Sequence, residues 1–138
     1  MKNKIIVVAP HPDDETLGCG GLLLKEKKLG SKIYWINITN ISEEFGWKKD
    51  KIIKRNKEII KVANNYKFDS YFNLDFPTTK LDSIPINDII ESLSFLIMKI
   101  KPNIMLIPNA YDIHTDHQIT AKATLACTKW FRYPFIKK

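Results

Sequence analysis

Cysteine is scarce in this chain of 138 residues: Cys19 and Cys127 stand far apart and no C-x-x-C pair occurs. That excludes a cysteine zinc knuckle, a dithiol redox pair and a disulfide scaffold, and it fits free buried thiols in a reducing cytoplasm. Arginine is scarcer than the charge suggests. Of 22 cationic residues only Arg55 and Arg132 are arginines, and the lysines are spread along the chain. The net charge of +7 therefore suits a lysine-rich composition at least as well as a nucleic-acid surface, with a weak preference for anionic substrates as a further option. No nucleic-acid partner is expected. No apolar run approaches the roughly 18–20 residues of a membrane span. The run Ile5–Ala9, five residues after a lysine-bearing start, falls short of the roughly 7–15 that a signal-peptide core needs. A cytoplasmic protein without a membrane span is the expectation. The dinucleotide fingerprint G-x-G-x-x-G is also missing, although Gly18, Gly20 and Gly21 cluster after the first strand. Acids stand there in place of the bare backbone N–H groups that a pyrophosphate needs.

What is present alternates. The hydrophobic share of 44% is enough for the core of one domain, taken as residues 1–138. Ile5–Ala9, Lys32–Thr39, Ser70–Leu74 and Ile104–Ile107 read as strands, rich in β-branched or aromatic residues. Between and after them, helical patterns run over Thr16–Leu29, Lys49–Tyr66, from Asn87 as N-cap to Ile100, and Asp116–Lys129. The glycines in the first helix are expected to allow close packing on the sheet, and Arg55 and Glu58, three apart, to pair. Strands alternating with helices predict an α/β fold: a Rossmann-like three-layer α/β/α sandwich on a mostly parallel sheet of order 3-2-1-4.

That order carries a consequence for function. Strands one and four become neighbours at the switch point, and ligands bind outside the carboxyl ends of such strands. The loop after strand one is Pro10-His11-Pro12-Asp13-Asp14-Glu15, and the loop after strand four leads to His114-Thr115-Asp116-His117. All three histidines of the chain lie in these two segments. Consecutive carboxylates repel one another and raise each other's pKa unless a cation offsets them. Imidazoles mixed with carboxylates suit zinc, or another divalent transition metal, better than calcium or magnesium. The bland alternatives are a solvated acidic loop at a helix N-terminus for the first segment and a capping or core role for the histidine pair. They leave the match between the two segments unexplained.

The same residues resemble the PIG-L/LmbE family of zinc-dependent N-deacetylases, which act on N-acetylglucosaminyl conjugates. The likeness runs through almost the whole chain, including the glycine-rich helix, the Arg55…Glu58 helix and Asp112-Ile113-His114. It implies that His11, Asp14 and His117 bind Zn2+, that Asp13 is the general base for the attacking water, and that His114 is the electrophilic or general-acid group. Asp116 is expected to orient His114, and Arg55 to sit near the substrate. The implied substrate is a small N-acetylated amino sugar or its conjugate, and the implied reaction is hydrolysis of its amide.

Two departures accompany the likeness. Thr115 replaces a proline usual in the family, and family members usually continue well beyond the second motif, so a C-terminal part of the family domain is expected to be missing. The rival function is a catalytically inactive metal- or carbohydrate-binding remnant of the same fold. Trp35, Trp47 and the aromatics Trp130, Phe131 and Phe135 are expected in the core, over a sheet edge, or between the subunits of a homo-oligomer. Cys19 is expected to be a packed residue.

Overall fold

Ile5, Val7 and Ala9 point to one side of the first strand and Ile6 and Val8 to the other, and all five are buried. A strand apolar on both faces needs cover on both, and the computed structural model, which describes residues 2–138, provides it. The elements are β1 (Lys4–Ala9), α1 (Asp14–Lys28), β2 (Lys32–Asn40), α2 (Lys49–Tyr66), β3 (Ser70–Pro77), α3 (Ile86–Ile100), β4 (Ile104–Leu106) and α4 (Thr115–Ala126). The four strands form one sheet of order β3-β2-β1-β4, parallel throughout. The fold is the predicted one.

One core lies between the sheet and helices α1 and α2, where Ile5, Val7, Ile33 and Trp35 meet Leu23, Ile59 and Ala63. The other lies beneath α3 and α4, where Ile6, Val8, Ile36 and Ile38 meet Ile89, Leu93, Ile97, Ala123 and Cys127. Burying a Leu or Ile side chain of this kind is worth about 1.5–3 kcal/mol, so these two layers hold the sheet between its helices. β1 pairs with β4 from Ile5↔Ile104 to Val7↔Leu106, which brings their carboxyl ends side by side.

Several expectations are corrected. β3 runs on to Pro77 through Asp75, whose φ of +57° and the nearby irregularity between Asn37 and Thr39 carry no periodic signal. α3 begins at Ile86 with Pro85 as its N-cap; Asn87 instead donates to Glu91 Oε1 at 2.8 Å. Glu58 lies 4.0 Å from Lys54, one turn back, and Arg55 has no carboxylate partner among the described residues. Of the clustered glycines only Gly20 is tightly packed, and against the Tyr66 hydroxyl of α2, not the sheet; a Cβ there would lie 2.5 Å from it. Trp35 is fully buried, as expected, whereas Trp47 and Trp130 are 43% and 80% exposed. In the aromatic tail Tyr133 is buried, and Phe135 and Ile136 pack on the same core. Lys137 donates to the Asn103 carbonyl, and Met105 donates to the Lys138 carbonyl, each at 2.9 Å, alongside the start of β4. The tail thus covers part of that sheet edge, while Trp130 and Phe131 remain exposed.

One carboxylate ties the first layer together. Asp69 accepts from Lys27 Nζ and from the Ile33 N–H, both at 2.8 Å, joining α1 to the start of β2. Burial pushes its pKa up, but the Lys27 contact and the Ile33 N–H more than offset this and hold it below its ordinary value. A carboxylate with a depressed folded pKa stabilises above its unfolded value and loses that contribution as pH falls through the folded one. Asp69→Ala is expected to lower the unfolding free energy by about 1–2 kcal/mol at neutral pH, with the deficit shrinking in acid as the carboxylate of the parent protein is protonated. Urea unfolding at pH 7 and at about pH 3 reads this; an equal deficit at both would contradict it.

Candidate metal centre

The chain leaves β1 at Ala9 and reaches α1 through a loop in which the His11 carbonyl accepts from the N–H groups of Asp13, at 2.9 Å, and Asp14, at 3.2 Å. This tight turn lays His11, Asp13 and Asp14 around the mouth of the sheet. The Asp14 carboxylate turns back on it, accepting the His11 N–H through Oδ2 at 2.8 Å. Asp13 is the N-cap of α1 but makes no capping bond with its side chain, so its exposed carboxylate is uncommitted. From the other side, α4 begins at Thr115, with His114 as its N-cap. Thr115 occupies the first helical position, where proline is favoured but not required because that N–H has no partner in the helix.

Three atoms converge. His117 Nε2 lies 3.3 Å from His11 Nδ1 and 3.2 Å from Asp14 Oδ2, and His11 Nδ1 lies 3.4 Å from that same oxygen. A tetrahedral ion bonded at about 2.0–2.1 Å to nitrogen and carboxylate oxygen sets its ligand atoms about 3.3–3.4 Å apart. The observed triangle has that size. The far nitrogens explain why both inner ring nitrogens, like the Asp14 oxygen, present lone pairs. His11 Nε2 lies 2.9 Å from Asp116 Oδ2, and His117 Nδ1 lies 3.0 Å from Asp112 Oδ2. With each of these nitrogens donating to a carboxylate, the inner nitrogens are acceptors, and three acceptors facing one another call for a cation. Residues and geometry fit a divalent transition metal with positions left open to water and substrate.

A second grouping, His11 with His114 and Asp116, is also close enough in space to hold an ion. Its hydrogen bonds speak against it. Asp116 is completely buried, and besides His11 it accepts the Thr79 N–H at 2.7 Å on Oδ2 and the Leu81 N–H at 3.1 Å on Oδ1. Asp116 therefore faces His11, not His114 as expected from the sequence. It reaches His114 only through its backbone, whose N–H donates to His114 Nδ1 at 3.1 Å. That bond leaves the proton of a neutral His114 on Nε2. Thr79 holds a φ of +60°, a strained conformation for a β-branched residue. The strain accompanies the delivery of its N–H to Asp116, an instance of backbone cost stored beside a site.

The electrostatics follow the same contacts. Burial pulls the His11 pKa down, and the carboxylates of Asp14 and Asp116 beside its ring more than restore it, for a net rise. Burial pushes Asp14 up, and the His11 contacts, with the His117 ring nearby, outweigh this for a net fall. Asp112 is held low chiefly by the His114 N–H, at 2.9 Å from Oδ1, and further by His117. Asp112 received no role in the reading of the sequence, although Asp112-Ile113-His114 belongs to the family likeness. His11, Asp13, Asp14, His114, His117 and Arg55 line one cavity of about 440 Å³, closed by Ile41, Trp47, Thr78 and Thr79. This brings every sequence-assigned residue to the cavity wall except Asp116, which sits behind it. Cys19, beyond this wall, is partly buried, and burial pushes its thiol up to about 11, as befits an inert packed residue.

Comparison with known proteins gives a consistent picture. The family model "PIG-L: GlcNAc-PI de-N-acetylase" matches residues 6–128. Diacetylchitobiose deacetylase of Thermococcus kodakarensis is 25% identical over 128 residues, which cover 83% of this chain and 45% of that protein. The crystal structure of the conserved protein TT1542 from Thermus thermophilus aligns with a TM-score of 0.77 at 30% identity, over 91% of this chain and 55% of that one. N,N'-diacetylchitobiose deacetylase from Pyrococcus horikoshii aligns with a TM-score of 0.79 at 20% identity, over 98% and 52%. The last likeness is one of fold. This chain spans about half the length of these relatives.

Removing the carboxylate behind His117 frees its ring to turn away from the triangle. Asp112→Ala is expected to weaken Zn2+ binding roughly 10–100-fold, read by competition with a chromophoric chelator, with the circular dichroism spectrum unchanged. Unaltered affinity would show that Asp112 does not orient a ligand.

Proposed function

Because the chain belongs to the PIG-L family of GlcNAc-PI de-N-acetylases, we propose that it is a metal-dependent hydrolase removing the acetyl group from an N-acetylated amino sugar or its conjugate. Zinc is the metal that the donor set suits best, held by His11, Asp14 and His117. The observation that carries this reading is the division of labour around the triangle. Three acceptor atoms are turned inward, and beside them stand a carboxylate with no other task and an imidazole whose proton is fixed on its free nitrogen.

A cation held there supplies acidification of water and polarisation of the amide carbonyl. The chain's own groups account for the rest. Asp13 takes a proton from the attacking water as general base. His114 Nε2–H donates first to the oxygen that gains charge as the carbonyl carbon becomes tetrahedral, and the same edge faces the departing nitrogen. The C–N bond breaks as the nitrogen takes a proton from His114 Nε2 and leaves as the free amine, the proton held by Asp13 makes good the one His114 gave, and acetic acid, which ionises to acetate, is the second product. Asp116 and Asp112 fix the tautomers and tilt of His11 and His117. Arg55, without an acidic partner, borders the cavity where the sugar would lie. A cavity of about 440 Å³ is within the range of small-molecule sites. No helix among the described residues is long and apolar enough to cross a membrane, and nothing in the reading requires one. The inactive-remnant alternative draws no support from this arrangement, which offers a candidate for each role in the proposed reaction.

Asp13→Asn keeps the size of the side chain and removes the base. Acetate release from N-acetylglucosaminyl substrates by the zinc-loaded protein is expected to fall roughly 10²–10⁴-fold, with zinc content by atomic absorption unchanged. Undiminished turnover in this variant would remove Asp13 from the mechanism.

A further inference from the structure

The helix that carries Asp14 is not one continuous rod. Cys19 adopts φ −148° and ψ 19°, outside the helical range, so residues 14–18 form a short first turn set off by a kink from the rest of α1. Asp13 caps this turn, Asp14 opens it, and the N–H groups of Thr16 and Leu17 donate to the Asp13 carbonyl at 3.1 and 3.0 Å. A helical segment this short is not stable by itself in water. Its place relative to His11 and His117 must come from what it touches.

Three polar groups outside the cavity lining form a chain on this turn. Glu15 is 2% exposed, and its Oε1 accepts from Thr16 Oγ1 at 2.8 Å. Thr16 Oγ1 in turn accepts from the Tyr66 hydroxyl, at the end of α2, at 3.1 Å. The donors all run one way, toward the buried carboxyl, so each bond strengthens the next. None of the three groups takes part in the proposed reaction, and a carboxyl is costly to bury without partners.

Tyr66 is itself held in place. Its ring stacks on Phe68, with centroids 5.0 Å apart and planes 1° from parallel, and Phe68 packs on the buried Trp35. The hydroxyl lies where α1 has no side chain. A Cβ at Gly20, just past the kink, would stand 2.5 Å from that oxygen but 3.7 Å from the ring carbon Cζ, an ordinary contact. Gly20 thus leaves the opening through which the hydroxyl reaches Thr16, one turn back. Across the kink, Cys19 Sγ donates to the Glu15 carbonyl at 3.3 Å.

We propose that Tyr66 is a positioning residue for the candidate metal centre: its hydroxyl, through Thr16 and the buried Glu15, sets the place of the turn that carries Asp13 and Asp14. The inference rests on the deacetylase reading only for the role of Asp14 as a metal ligand. The brace itself is read without metal.

In the metal-free protein, Tyr66→Phe is expected to quicken amide hydrogen exchange at Thr16 and Leu17 roughly three- to tenfold and to leave Leu23 and Leu24, past the kink, within about twofold of the parent. In the same variant the Zn2+ dissociation constant, read by chelator competition, should rise by a similar factor. The visible absorption band of the Co2+-loaded form should shift with it. Thr16→Val should act likewise, and Thr16→Ser, which keeps the hydroxyl, should restore the parent values. Gly20→Ala improves helix propensity, yet it should loosen the turn and weaken Zn2+ binding while Tyr66 is present. In the Tyr66→Phe background, where the obstructing oxygen is gone, it should do neither, a non-additivity that a double-mutant cycle reads. Quickened exchange along all of α1, or Gly20→Ala acting equally in both backgrounds, would overturn the brace. Quickened exchange in the first turn with Zn2+ affinity and the Co2+ band unchanged would overturn the positioning role. A parent protein that binds no Zn2+ at the triangle, with the exchange pattern as expected, removes the metal reading and keeps the brace.

Discussion

A single buried carboxylate, that of Asp116, joins the two halves of the candidate metal centre. It takes the His11 ring from the loop after β1 and the N–H groups of Thr79 and Leu81 from the segment after β3. It does so at complete burial, where an ionised group without partners would be costly. Three donors compensate that cost, and each then becomes a geometric constraint. The imidazole is fixed in tilt and tautomer, the strained Thr79 is held in place, and the N-terminus of α4 is pinned so that His114 and His117 face the same space.

The constraint works only because the sheet has already done the coarse positioning. β1 and β4 are adjacent and parallel, so the loops at their carboxyl ends share one rim, although their residues are about a hundred positions apart. Apolar layers on both faces fix the strands, and the polar groups that would be unwelcome in either layer collect at the rim. There the two histidines are each backed by a carboxylate, and the inward atoms are left without protons. The proposed metal chemistry depends on which ring nitrogen each carboxylate occupies.

Much of this was legible in the sequence, for identifiable reasons. Strands apolar on both faces and the amphipathic run Lys49–Tyr66 announce a covered parallel sheet, and α2 has the bounds its pattern predicts. The order of the strands then brings the histidine-bearing loops together. What was not legible depends on where individual side chains turn. Asp116 sits two residues from His114, which suggested a partnership, yet at the second position of a helix its carboxylate turns to a loop 37 residues away in the chain. Asp112 serves His117 across a helix N-terminus, a relation without a periodic signature. The extension of β3 through a positive-φ aspartate and the outward seating of Trp47 belong to the same class. Each is set by tertiary contacts and not by local preference.

The account stands or falls on the inward triangle of His11 Nδ1, Asp14 Oδ2 and His117 Nε2. Crystals grown with zinc, with diffraction recorded on both sides of the zinc absorption edge, would locate the ion directly. The account predicts one anomalous peak within about 2.0–2.2 Å of those three atoms, with His11 Nε2 still bonded to Asp116. A peak ligated by His114 or Asp116, or none at the triangle at full histidine occupancy, would contradict it.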